Sequence, residues 1–130
     1  MGARRPRPIV LDAGAFIAFE RNDSRVGTLI EAAAAHRGVL HTPAAVVAQV
    51  WRDGSRQARL ARLIGSSAVR VQPLDLQEAQ ATGVICGLRA SKDIVDVSVV
   101  ILARRLGARV VTSDPDDLRR IDPKLELFVC

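Results

Sequence analysis

What most limits the folds open to this chain is how its apolar residues are parcelled out: short apolar runs, too brief for helices, alternate with longer stretches at helical spacing. Ile9-Val10-Leu11 is continuously apolar and stops at Asp12, the pattern left by a strand buried on both faces. Residues 15–20 read as a helix. Ser24 is placed to cap a second one, with Val26, Leu29, Ile30, Ala33 and Ala34 at spacings of three and four until Gly38. A second strand is expected over 39–41, and Thr42-Pro43 reads as a cap followed by proline in the first helical position. The helix so begun carries Val46, Val47, Val50 and Trp51 and breaks at Asp53-Gly54-Ser55. Leu60, Leu63 and Ile64 mark a further helix closed by Gly65, and a third strand covers 69–71, ended by Pro73. A helix then starts from Asp75 and passes through Leu76, Ala79, Thr82 and Gly83, and residues 87–92 read as a loop.

Residues 94–106 carry Ile94, Val95, Val97, Val99, Val100 and Ile101, all with high strand propensity. Length overrides propensity here, because strands usually run to about five or six residues. Ser91 or Asp93 as cap, Arg104 and Arg105 in the last turn and Gly107 just beyond are helix punctuation. A fourth strand over 109–112, a short helix over 115–120 and an edge strand over 125–129 complete the chain. Strands alternating with helices imply an α/β fold with a mainly parallel sheet of four to five strands and right-handed crossovers. The 130 residues make one domain's worth of chain. Residues 1–8 are expected to be a basic, Pro-rich lead-in and 9–130 a single domain. The apolar run at 9–11 is too short for a signal peptide, and no stretch approaches the roughly 20 apolar residues of a membrane span, so a cytoplasmic protein is expected. Cys86 and Cys130 lie far apart without a CxxC spacing, which argues against a zinc site or a disulfide framework.

In a parallel α/β sheet, ligands gather where the strands' carboxyl ends turn into helix starts. Six of the ten aspartates fall there: Asp12 after the first strand, Asp93 and Asp96 opening the apolar helix, Asp114 after the fourth strand, and Asp116 and Asp117 close behind. Any one alone could be a helix cap worth about 1 kcal/mol. If Asp12, Asp96 and Asp114 converge, each pair repels by about 1 to 4 kcal/mol, and such crowding calls for a cation. Carboxylates without His or Cys companions point to Mg2+ or Mn2+. The net charge is +5, and 17 of the 19 basic residues are Arg; set aside those six aspartates and eight acidic residues face nineteen basic ones. An acid-lined site in a basic protein suits hydrolysis of a polyanion.

The segments Ile9-Val10-Leu11-Asp12-Ala13, Thr42-Pro43 leading into Val46-Val47-Ala48-Gln49-Val50, Asp93-Ile94-Val95-Asp96 and Val111-Thr112-Ser113-Asp114-Pro115-Asp116-Asp117 together resemble the PIN domain, more narrowly the VapC-type toxins of bacterial toxin-antitoxin pairs. The resemblance implies a Rossmann-like α/β/α sandwich and a Mg2+- or Mn2+-dependent endoribonuclease, usually dimeric and inhibited by a cognate antitoxin. It also implies Asp12, Asp96 and Asp114 as metal ligands, Asp96 by its place eleven residues before Gly107. Asp93 is then an accessory carboxylate or a cap, and Asp116 or Asp117 a further acid.

One departure concerns position 49, where the family's usual glutamate is Gln49. An amide can ligate a cation or hold its water but brings no charge and cannot act as a base. Asp93, one turn before Asp96, and Asp53, i+4 from Gln49 if that helix extends so far, are the available compensations, with Asp93 preferred. The alternative is a catalytically weakened domain that binds RNA or protein. Thr112 and Ser113 are candidate contacts to a ligand carboxylate or scissile phosphate; Arg52 and Arg56, with Arg59 and Arg62, would follow a phosphate backbone or form a solvated face. Trp51, Phe16 and Phe19 read as packing or partner surface, and His36 and His41 as structural. A phosphoacceptor receiver domain is disfavoured because neither Lys92 nor Lys124 follows a late strand. A haloacid-dehalogenase-type phosphatase is disfavoured by Gly14, and no phosphate-binding GxxxxGK[ST] loop is present.

Overall fold

The structure is a computed structural model that describes residues 6–130; positions 1–5 of the expected lead-in lie outside the described residues. Twelve elements follow in the order β1 (Ile9–Leu11), α1 (Ala13–Glu20), α2 (Ser24–Ala34), β2 (Leu40–Pro43), α3 (Ala44–Val50), α4 (Ala58–Gly65), β3 (Val69–Gln72), α5 (Leu76–Leu88), α6 (Ile94–Leu106), β4 (Arg109–Thr112), α7 (Pro115–Ile121) and β5 (Leu127–Val129). The five strands form one sheet in the order β3-β2-β1-β4-β5, and every pairing is parallel. The α/β class and the parallel sheet are therefore as the sequence pattern predicts.

Burial explains the order. β1 is buried throughout and β4 nearly so, whereas the edge strands β3 and β5 are half open; the uninterrupted apolar runs sit centrally because both their faces are covered. Helix α1 packs with α2, α3 and α4, and α6 packs with α5 and α7. Both α1 and α6 lie on β1 and β4, which places the sheet between two helical layers. Val10, Leu11, Phe16, Leu40, Val97 and Val110 are among the fully enclosed side chains of the core between them.

Helix α6 is closed as its punctuation predicts: Asp93 caps it, and Gly107 adopts the left-handed conformation (φ 62°) that glycine takes without strain. Four local expectations are corrected. Asp23, not Ser24, caps α2, its carboxylate accepting from the Arg25 and Val26 N–H groups. Thr42 caps nothing: its hydroxyl donates to the Leu11 carbonyl at 2.8 Å, β2 runs on to Pro43, and Pro43 itself is the N-cap of α3. Helix α5 continues through Gly87 to Leu88, within the stretch expected to be loop, and β5 begins only at Leu127.

Candidate active site

Asp12 is the first residue past β1 and the N-cap of α1. Its N–H donates to the Val111 carbonyl at 3.1 Å, which carries the β1–β4 contact one residue beyond the strand. The carboxylate is buried, with the residue 3% exposed. One oxygen accepts from the Ala13 N–H at 2.6 Å, the other from the Thr112 hydroxyl at 2.8 Å. Thr112 is fully enclosed, and its oxygen in turn accepts from the Asp114 N–H at 2.9 Å. A single hydroxyl thus orients Asp12 and fixes the turn that presents Asp114. Of the two roles expected for Thr112, the structure assigns the hydrogen bond to a carboxylate. Burial pushes the Asp12 carboxyl above its ordinary value of 3.8, the bonds from Thr112 and Ala13 oppose that, and the charges of Asp114 and Asp93 add to it.

Asp96 sits in the first turn of α6, its N–H held at 3.0 Å by the capping carboxylate of Asp93. Burial first, then the adjoining Asp93 carboxyl, then the charges of Asp12 and Asp117 push the Asp96 carboxyl up to about 7. Asp114 occupies the N-cap position of α7, yet its side chain makes no capping bond. Asp93, Asp96 and Asp117 line a cleft of about 340 Å³ with Arg89, Lys92 and Arg120. Arg120 pairs with Asp117 at 3.3 Å; among the described residues no ion pair reaches Asp12, Asp93, Asp96, Asp114 or Asp116. Asp116 is exposed at the start of α7.

Two tight contacts shape the turn. A Cβ on Gly14 would lie 2.7 Å from the Ser113 nitrogen and 2.2 Å from its hydroxyl oxygen, so the absent side chain lets the start of α1 press against the β4–α7 turn. Ser113 itself is exposed. The sequence reading used Gly14 only to exclude another fold and missed this approach, although a glycine two residues after a strand-end aspartate was the available signal. Glu78, a buried acid on α5, was also missed; Arg105 donates to both its oxygens at 3.0 and 2.9 Å.

Gln49 is exposed on α3. That helix ends at Val50, so Asp53 is no longer on it: its carboxylate accepts from the Ser55 N–H and hydroxyl at 3.0 and 2.7 Å. Asp53 is thereby excluded as the replacement for a glutamate at 49, whereas Asp93 acts directly on Asp12 and Asp96. Arg52 donates to the Ala48 and Trp51 carbonyls, Arg56 lies 3.8 Å from Asp53, and Arg59 covers the Phe19 ring at 4.7 Å; these guanidinium groups are turned to local partners. His41 is bonded to the Gly38 carbonyl, and Phe16 is in the core.

The carboxylates suit a hard cation in kind and in charge. Among the described residues, however, no three His, Cys, Asp or Glu side chains stand close enough to hold one ion together.

Comparison with known proteins decides the family, since the PIN-domain family model matches residues 9–124. The chain belongs to the PIN-domain family. No curated protein matches this PIN domain at the sequence level. Its fold is similar to a chain of the DNA-bound VapBC complex from Salmonella typhimurium, with TM-score 0.69 and 18% identity over 95% of this chain and 98% of that one. It is similar to FitAcB from Neisseria gonorrhoeae, with TM-score 0.61 and 17% identity over 92% and 96% of the two chains. VapC20 of Mycobacterium tuberculosis, a toxin that cleaves the sarcin-ricin loop, aligns with TM-score 0.55 and 21% identity over 78% and 85%.

Proposed function

We propose that this PIN domain is a VapC-type toxin: an endoribonuclease that hydrolyses RNA phosphodiester bonds with Mg2+ or Mn2+, is neutralised by a cognate antitoxin, and acts in the cytoplasm as a homodimer. The observation that carries the reading is the set of carboxylates at the C-terminal end of the sheet, Asp12, Asp93, Asp96 and Asp114, which form no ion pair with a Lys or Arg among the described residues. The neighbouring VapBC, FitAcB and VapC20 structures, which include antitoxin complexes and an RNA-cleaving toxin, support it. No helix of the described residues is long and apolar enough to cross a membrane.

Asp12, Asp96 and Asp114 would hold the ion, with Asp93 beside them. When bound, such an ion lowers the pKa of a water and offsets charge on a phosphodiester. The chain supplies the rest. Thr112 and the Ala13 N–H fix the orientation of Asp12 with one bond to each oxygen, which leaves each oxygen a further lone pair for an ion. The Asp96 carboxyl, pushed up to about 7, would have to be deprotonated to hold such an ion. Arginines outside the acidic end draw the RNA backbone in.

Cleavage of RNA by the purified protein is expected with Mn2+ or Mg2+, and Asp12→Asn or Asp96→Asn should lower it by at least about a hundredfold. Undiminished cleavage in chelator would overturn the metal mechanism. The uncharged Gln49 favours a second reading, a weakened domain that binds RNA or protein. Gln49→Glu separates the two: a charge restored at the site should tighten Mn2+ binding about tenfold by calorimetry. Cleavage by the Glu variant alone would establish the second reading.

A further inference from the structure

The strands of a parallel sheet begin on one side just as they end on one. Ile9, Leu40 and Val69 start β1, β2 and β3 side by side, at the end of the sheet away from Asp12 and Asp114. A groove of about 930 Å³ opens there, with Arg7, His36, Arg37 and Arg70 along it, and no Asp or Glu among the described residues lines it.

Three separate segments build the walls. Pro6 and Pro8 stiffen the approach to β1, the Arg109 N–H holds the Pro8 carbonyl at 3.2 Å, and Arg7 is tied to the Gly107 carbonyl at 3.1 Å and to Glu126. Gly38 turns the chain into β2 with φ 83°, a conformation that glycine takes without strain. The Arg70 Nε lies 4.0 Å from where a Cβ on Gly38 would stand, so β3 meets that turn closely. Neither Arg37 nor Arg70 forms an ion pair among the described residues. A guanidinium stays charged at any working pH, and the groove therefore calls for an anion.

Its extent says which kind. Arg70 also lines a second cleft, of about 490 Å³, which carries Arg105, and Arg4 and Arg5 stand directly before Pro6 in the sequence. Cations strung over such a length match a polyanion rather than a single ion. No Phe, Tyr or Trp among the described residues lines either cleft, so bases would find no such ring to stack on. Contact is then with phosphates, whatever the base sequence.

We propose that the groove at the start of the sheet is a second RNA-binding site, one that holds the phosphate backbone away from the carboxylates that would cut it. The identity of the polyanion rests on the ribonuclease reading; the site itself rests on the groove.

The test is fluorescence anisotropy of a labelled hairpin RNA titrated with the full chain in chelator, where the uncompensated carboxylates repel RNA and the groove is left to bind it. Arg37→Gln combined with Arg70→Gln, both at exposed positions, should raise the dissociation constant at least about tenfold with unchanged circular dichroism. The slope of log affinity against log salt should fall by about one for each arginine removed. Arg37→Lys combined with Arg70→Lys keeps the charge and should bind within about threefold of the wild type. Arg56→Gln combined with Arg59→Gln removes as much charge where the guanidinium groups face local partners, and should also stay within about threefold. The proposal is overturned by a wild type that does not bind, by no loss on replacing Arg37 and Arg70 with glutamine, by no recovery with lysine, or by an equal loss at Arg56 and Arg59. Asp96→Asn should lose cleavage in Mn2+ yet keep its RNA affinity in chelator, so the ribonuclease reading and the groove fail in different measurements.

Discussion

Asp96 carries the clearest consequence at the scale of one residue. Its carboxyl titrates near 3.8 when the chain is unfolded and near 7 when folded without a cation. Between those values the folded state binds more protons than the unfolded one, so its contribution to stability is full below about pH 4 and is lost as the pH rises through about 7. Asn has no such cost. In chelator, the melting temperature of Asp96→Asn should therefore gain on that of the wild type as the pH goes from about 4 to about 7, and Mn2+ at neutral pH should restore the wild type. A difference between the two that is flat with pH would contradict the assignment. Asp12 is raised in the same direction, so part of the wild-type dependence survives in the variant.

At the scale of elements, the site depends on how closely α1 meets the β4–α7 turn. Gly14→Ala places a methyl group 2.7 Å from the Ser113 backbone nitrogen, and backbone cannot swing aside as a side-chain tip can. We expect a loss of about 1 to 3 kcal/mol in stability and weaker Mn2+ binding, because the displaced turn carries Asp114. Unchanged values of both by thermal melting and calorimetry would show that the turn gives way freely. The elements themselves were unevenly legible. The long apolar helix α6 could be told from a strand because capping and length outweigh the β-branching of Val97, Val99 and Val100. The start of α2 could not be placed to the residue, since Asp23 and Ser24 are both good caps and only the structure shows which side chain reaches two N–H groups. The end of α5 was misjudged because Gly87 reads as a breaker. In an exposed last turn its cost is only about 1 kcal/mol, and the Arg89 N–H still finds the Ile85 carbonyl.

At the scale of the molecule, Asp12, Asp96 and Asp114 were legible as candidates because a parallel sheet sends its strand ends to one side. The hydroxyl of Thr112 was less so: its sequence position suits a phosphate contact as well as a carboxylate contact, and only burial separates them. Glu78 left no signal, for an acid on a helix is ordinarily solvated. The net charge hid a local grouping that the structure makes spatial, with Asp12, Asp93, Asp96 and Asp114 free of ion pairs among the described residues at one end of the sheet, beside a cleft that also holds Arg89, Lys92 and Arg120.

The sheet order also has a bearing on synthesis. Strand β1 is made first but sits between β2 and β4, and the Thr112 hydroxyl that orients Asp12 lies 100 residues further along the chain. A nascent chain therefore carries Asp12 for most of its time on the ribosome without the strand that encloses it, the hydroxyl that aims it or the turn that brings Asp114. Under the proposed function, the site of a ribonuclease made beside ribosomal RNA would in this way be completed only once β4 and the turn after it have emerged.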